Sequence, residues 1–538
     1  MKTSRTLMSF ILVIVLMLSL VACSGKPEQQ TSVEQPAQQT SDEQQNANDF
    51  TEINSQNETK SEATKDTIKI ALQRNITDLS GSSGGNATYG LVYSIFDTLV
   101  RFDPDTMELL PCLATSWEQA NEYTWRFTLR EGVKFTNGED FNAQSAAYAI
   151  NYLADPDFNY QNYKQWSKSW PPSAEVESEY SILVTTPYTN LSVPKLLTRF
   201  AMIPMEASKA EDFWSHPIGT GPYVLTSWEP GIRLTLDANE NYWNGCPAIA
   251  HQIYDIVTDS TARAALIETG EYDFVCDVPL NYTLQLLKKN DTPMNILKTP
   301  HTGAWVVYFN GLSTNSFIQD VRFRTALLYA IDQDAICEYV LGGIVQSAQG
   351  IGPMYIDGAY DAGGYPARDI EKAKELAAEC GYNGEEIKLM IGGSPFNSSD
   401  EVVDEILIEM KEAGFNVVPE EVDSATWSKY KKTGDFDLGL NFFGGPYTGD
   451  VEQNYTQGIA GCYWSYEEAN ALLDEIYTPG ITEARRLECL KEIMKISWEN
   501  VPYLFQSESC GMWAINPNLK GVEIFQNVQV SFNNAYFE

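Results

Sequence analysis

Glu386–Gly393 reads EIKLMIGG, Ser399–Gly414 reads SDEVVDEILIEMKEAG and Phe415–Val422 reads FNVVPEEV. The periodicity predicts strand, helix, strand. TWSKYKKTG (Thr426–Gly434) and FDLGLNFF (Phe436–Phe443) repeat the helix–strand step directly afterwards. Repeated βαβ units predict a mainly parallel α/β lobe in this half of the chain. FRTALLYAIDQDAICEYVL, ahead of it, reads as one long helix, and DIEKAKELAAECG as a helix stopped by Gly381. AWVVYFN reads as a strand before them, TEARRLECLKEIMKISWEN as a last helix and VPYLFQSESCGMWAI as one more strand.

The preceding half is less regular. TIKIAL alternates and predicts a first strand, and YTWRFTLR sets Trp125, Phe127 and Leu129 against Thr124, Arg126, Thr128 and Arg130. FNAQSAAYAINYL predicts a helix with Asn142 in its N-cap region. RLTLDANENYW and IAHQIYDIV predict a strand pair, followed by a helix capped by Ser260 and ended by Gly270. The length from Thr67 to Glu538 exceeds what one hydrophobic core supports.

The start is of another kind. Lys2 and Arg5 precede a nearly unbroken apolar run, Leu7–Val21, too short for a spanning helix and suited to a secretory signal. Leu20-Val21-Ala22-Cys23 resembles a bacterial lipobox, which implies cleavage after residue 22 and a lipid on Cys23. Residues 23–66 are rich in Gln, Glu, Ser, Thr and Asn, and predict a disordered tether.

Lys and Arg number 36 against 73 Asp and Glu, a net charge of −37, which argues against a nucleic-acid partner. No CxxC pair occurs among the cysteines, and Cys337 and Cys489 fall within expected helices as buried thiols. The three histidines, His216, His251 and His301, are scattered, with no HExxH, so neither a metal site nor a cofactor is expected. Ser428-x-x-Lys431 and Lys432-Thr433-Gly434 match motifs of penicillin-binding enzymes, but they adjoin and cannot form opposite walls of a site. A basic helix face with a glycine cap is the simpler reading. The 29 Tyr, 23 Phe and 12 Trp often stand beside Gly or Pro, which suits a large cleft.

IFDTLVRFDPDTMELLPCLATSWE, YTWRFTLREGVKFTNGEDFNAQSAAYAINYL, HPIGTGPYVLTSW, NENYWNGCPAI, TARAALIETGEYDF and FRTALLYAIDQDAI together resemble the bacterial extracellular solute-binding proteins of family 5. These are the binding subunits of peptide and nickel ABC importers. The resemblance runs from about Thr67 to the C-terminus and implies an α/β two-lobe clamshell with mixed sheets. It implies a first lobe of 67–299 with an inserted subdomain, a second of 300–510, and a return to the first over 511–538. It also implies a monomer that binds a peptide or metal chelate without covalent chemistry and passes it to ABC permease subunits. Receptor-coupled sensory members share these blocks, and an extracytoplasmic hydrolase is the remote alternative.

Within the resemblance, FFGGPY resembles the WGxPY of nickel- and metallophore-binding members. Phe443 then replaces a tryptophan and Tyr447 matches the pocket tyrosine. Trp166 corresponds to a pocket tryptophan and Arg199 to an arginine that pairs a ligand carboxylate. Peptide-binding members more often carry an acidic residue near this loop. GIAGCYW (Gly458–Trp464) lacks the histidine that some nickel binders use, so direct nickel ligation is not expected.

Overall fold

Thr67–Leu72 forms the expected first strand, β1, and nine more strands join it in one sheet. They are β2 (Tyr223–Glu229), β3 (Arg233–Ala238), β4 (His251–Ile256), β5 (Phe274–Cys276), β6 (Asn295–Phe309), β7 (Glu386–Gly392), β8 (Asn416–Val422), β9 (Leu438–Phe443) and β10 (Tyr503–Ile515). Their order is β8-β7-β9-β6-β10-β5-β1-β4-β3-β2. The computed structural model describes residues 65–538 apart from 77–78, 81–85, 159–167, 280–281, 286–291, 393–398, 444, 446–448 and 527–528. Cys23, the signal, the tether as far as residue 64, Trp166 and Tyr447 lie outside the described residues.

β7 pairs in parallel with β8 and β9, as the βαβ pattern requires. The half as a whole is mixed, because β6 runs antiparallel to both β9 and β10. β6 and β10 are long strands shared with the other half, so no crossover helix sets their direction. In that other half β1 is parallel to β4 and β5, while β3 is antiparallel to β2 and β4. A separate four-stranded antiparallel sheet carries Thr124–Leu129 between Ala114–Asn121 and Ser181–Thr185.

Helix starts follow short polar side chains. Asn142 caps Ala143–Ala154, accepting from the Gln144 and Ser145 N–H groups, with Ser145 closing a capping box. The cap of Ser260–Thr269 is Asp259 rather than Ser260, and Gly270 ends that helix with φ 63°. The helix expected over 323–341 is broken. It runs over Val321–Ala330, Ile331 is extended, and Asp332 caps a restart at Gln333 that continues as a π-helical turn, Ile336–Val340. The sequence shows an unbroken apolar face there, but an aspartate competent to cap sits in its middle.

The apolar interior divides as two lobes require. One cluster takes residues from Ile68 to Cys276 and from Trp513 to Phe537. Two others take residues from Ala304 to Phe505. A smaller cluster, including Ala71, Val275, Ile344 and Met512, lies beside the crossing strands. Cys337 and Cys489 are buried free thiols, and burial raises the pKa of both.

Candidate functional site

The register of β6 and β10 places the site. β5 ends at Cys276, which faces Trp513 of β10, and Trp513 faces Leu297 of β6. β9 runs the opposite way and ends at Phe443, which faces Ala304 of β6. The carboxyl ends of β1 and β5 on one side, and of β7 and β9 on the other, are therefore directed towards each other. Lys298–Gly303 of β6 and Ser509–Met512 of β10 bridge the interval. Open α/β sheets bind ligands beyond the carboxyl ends of their strands, and the two facing edges here make the interval between them the candidate crevice.

The floor of the crevice contains a bulge. The β6–β10 register shifts between His301 and Ala304. The His301 Nδ1 accepts the Gly303 N–H at 3.1 Å, and its ring stacks on Phe442 at 5.4 Å. Burial lowers the imidazole to about 4, so it is neutral at physiological pH. The Thr302 N–H donates to the carbonyl of Gln526 at 2.9 Å, tying the returning C-terminal segment to the bulge.

Glycine is required where the loop after β9 meets this bulge. A Cβ on Gly445 would sit 1.9 Å from the Thr302 carbonyl, and one on Gly303 would sit 2.7 Å from the Phe443 oxygen. Two backbones touch there, which accounts for one glycine of GGPY. Phe442 and Phe443 are both half-buried and point to opposite faces. Phe442 packs on Trp305 at 4.6 Å, and Phe443 packs on Tyr308 at 6.4 Å and Tyr503 at 6.1 Å.

The far end of the loop is held by charge. Arg486 Nη2 lies 2.7 Å from Asp450 Oδ2 and 3.5 Å from Glu452 Oε2, all within the interior. The Tyr477 hydroxyl donates to Glu452. Burial opposes ionisation of Asp450, but Arg486, Lys195 and the hydrogen bonds it accepts together outweigh burial and hold the carboxyl below its ordinary value. Glu452 is raised, mainly by burial. The acidic group nearest the loop is thus already neutralised.

Arg199 is almost wholly buried, just beyond the helix Val193–Leu197, among Leu196, Leu197 and Phe200 of the first core. The side chain of that helix seen to reach the second lobe is Lys195, whose Nζ lies 3.4 Å from Asp357 Oδ2. Asp357 pairs through its backbone with Gly449 and Val451, at the base of the same loop. Lys168 makes a second contact of this kind, with Asp474. The sequence reading missed Lys195, Asp357, Arg486 and Glu508. The partners of Lys195, Asp357 and Arg486 are distant in the chain; for Glu508 one signal was present, since Gln506-Ser507-Glu508-Ser509 interrupts an otherwise apolar strand.

Ser428, Lys431 and Lys432 lie on the helix Ser424–Thr433, ended by Gly434 with φ 74°. Lys431 sits over the Trp427 ring, as a basic helix face would. Among the described residues no group of three or more His, Cys, Asp or Glu could hold a metal ion. No helix there is long and apolar enough to cross a membrane.

Residues 108–463 match the profile of the bacterial extracellular solute-binding proteins, family 5 middle region. The chain is 28% identical over 471 residues to heme-binding protein A of Haemophilus influenzae, covering 79% of this chain and 84% of that one. The ABC transporter substrate-binding protein CtaP of Listeria monocytogenes has the same fold, with TM-score 0.78 and 17% identity over 88% of this chain and 99% of that one. A dipeptide-binding protein of Pseudoalteromonas, solved with Met-Leu, matches with TM-score 0.74 and 20% identity over 88% and 100%. The chain belongs to the bacterial extracellular solute-binding proteins of family 5.

Proposed function

We propose that this protein captures a short peptide, or a small metal chelate, between its lobes and delivers it to the permease of an ABC importer. The observation that carries this reading is the crevice, where the strand ends of both lobes converge on two crossing strands. The lobes are taken as 67–299 with 511–538, and 300–510. Family membership and the dipeptide complex of a protein of the same fold support a solute of this size.

On this reading Phe443 and Tyr447 form part of one wall. Trp166 contributes from the inserted subdomain, and Arg199 supplies a cationic contact. No bond of the ligand is made or broken. Binding energy shifts an open–closed equilibrium, and the permease takes the closed form. A lipid on Cys23 and the tether after it hold a monomeric binding body at the extracytoplasmic face of the membrane.

A thermal-shift screen tests the reading with free nickel, nickel with histidine, and di- to pentapeptides. A ligand at about a hundred times its Kd stabilises the fold by about 2.7 kcal/mol. A shift with peptides or nickel–histidine supports capture, and no shift with any member counts against it.

A further inference from the structure

A cavity of about 270 Å³ lies in the second lobe, where Tyr365, Trp498 and Tyr503 meet Leu328, Ile351 and Val501. It is away from the crevice. Tyr503 opens β10 opposite Tyr308, four residues along β6 from Ala304 at the crevice edge, or about 13 Å at the rise of a strand.

The backbone around the cavity is stiff. Pro366 follows Tyr365 and Pro502 precedes Tyr503, and both prolines line the space. Val501 between them has φ 49°, a left-handed backbone that a β-branched residue rarely takes. Arg324 Nε holds its carbonyl at 2.9 Å. The wall is therefore fixed in place rather than free to collapse inward.

The lining is aromatic with unused polar groups. The Tyr365 and Trp498 rings stand 4.6 Å apart. The hydroxyls of Tyr365 and Tyr503 and the indole N–H of Trp498 make no hydrogen bond among the described residues. Burial raises both phenols, so both stay protonated and able to donate. Among the lining residues the charged one is Glu499, which is exposed.

We propose that this cavity is a second binding site, for a neutral one- or two-ring aromatic carrying an oxygen acceptor. The three rings offer faces and edges to an arene. An indole N–H only donates, and a phenol donates or accepts, so an oxygen on the ligand satisfies them. A cavity of about 150 Å³ takes benzene, so this one has room for a second ring. A ligand carboxylate would be buried with no cation among the lining residues. The site is independent of the crevice and of capture there.

Saturation-transfer NMR on the full chain tests the site with 2-naphthol, 2-naphthoate and decahydro-2-naphthol. The wild type is expected to bind 2-naphthol at least tenfold more tightly than the other two. Tyr365→Phe keeps the ring and removes a hydroxyl without a protein partner. It should weaken 2-naphthol about fivefold at unchanged Tm. Ile351→Trp, which fills the cavity, should abolish binding. No transfer to 2-naphthol in the wild type would mean a water-filled void and overturns the site. Affinity unchanged by both substitutions places the probe elsewhere, the crevice included, and overturns it as well. Equal affinity for decahydro-2-naphthol overturns the aromatic class, and equal affinity for 2-naphthoate overturns the neutral one. Should Ile351→Trp not fold, Tyr365→Phe and Trp498→Phe still decide.

Discussion

Arg486 Nη2 and Asp450 Oδ2 stand 2.7 Å apart with side-chain exposures of 3% and 1%. The pair fastens the end of the loop after β9 to the helix Glu483–Glu499. Arg486→Met would leave Asp450 and Glu452 buried without the guanidinium that pairs with them. Breaking such a pair from one side costs about 3–5 kcal/mol. Urea denaturation at neutral pH should show a loss of that order, and a loss below about 1 kcal/mol would mean the pair does not anchor the loop.

His301 predicts a pH dependence. Its folded pKa of about 4 lies below the ordinary 6.5. Between these values the unfolded chain takes up a proton that the folded chain refuses, so stability falls as pH falls. The penalty grows to about 3 kcal/mol across that window. His301→Gln, which keeps an acceptor for the Gly303 N–H, should flatten the Tm profile between pH 6.5 and 4 relative to wild type. An identical profile in the variant would show that the imidazole is accessible to protons in the fold.

Gly445→Ala tests the contact between the loop and the bulge. The added carbon cannot coexist with the Thr302 carbonyl at 1.9 Å, so one backbone has to move. Overpacking of this kind costs about 1–3 kcal/mol, and the displaced loop should also weaken any thermal-shift hit. Unchanged Tm and unchanged hits would contradict the close approach.

Much of the fold was legible because its signals are local. Gly270, Gly381 and Gly434 end their helices with positive φ, and Asn142 caps where its pattern placed it. The break at Ile331 was not legible, because an apolar face hid a capping aspartate. The site was legible only in part. Phe443 could be tied to the strand end it occupies, but no spacing relates Asp450 to Arg486, or Glu508 to Ala304. Those neighbours are created by register and by helix packing, which are properties of the assembled sheet.

Lys195–Asp357 and Lys168–Asp474 join residues on the two sides of the crevice. Both pairs are partly exposed, so each is worth about 0.2–1 kcal/mol and is screened by salt. Asp357→Asn with Asp474→Asn should lower the affinity for a peptide that scores in the thermal-shift screen by less than about tenfold while leaving the ligand-free Tm unchanged. Wild-type affinity should fall with salt more steeply than the double variant's. Equal salt slopes would mean these pairs do not favour closure.

Tyr447 supplies a contrast with Phe443. Phe443→Ala removes a ring that packs on Tyr308 and Tyr503. It should cost part of the about 3–5 kcal/mol of a fully buried ring and also weaken binding. Tyr447→Ala should weaken binding with the ligand-free Tm nearly unchanged. A large Tm drop for Tyr447→Ala with affinity intact would make that ring core rather than wall.

Small-angle scattering addresses the central claim, that two lobes close on a captured solute. The protein is measured alone and then saturated with a ligand that scores in the thermal-shift screen. The account predicts a smaller radius of gyration in the saturated sample. Saturation confirmed by native mass spectrometry, with a radius of gyration that does not change, would contradict it.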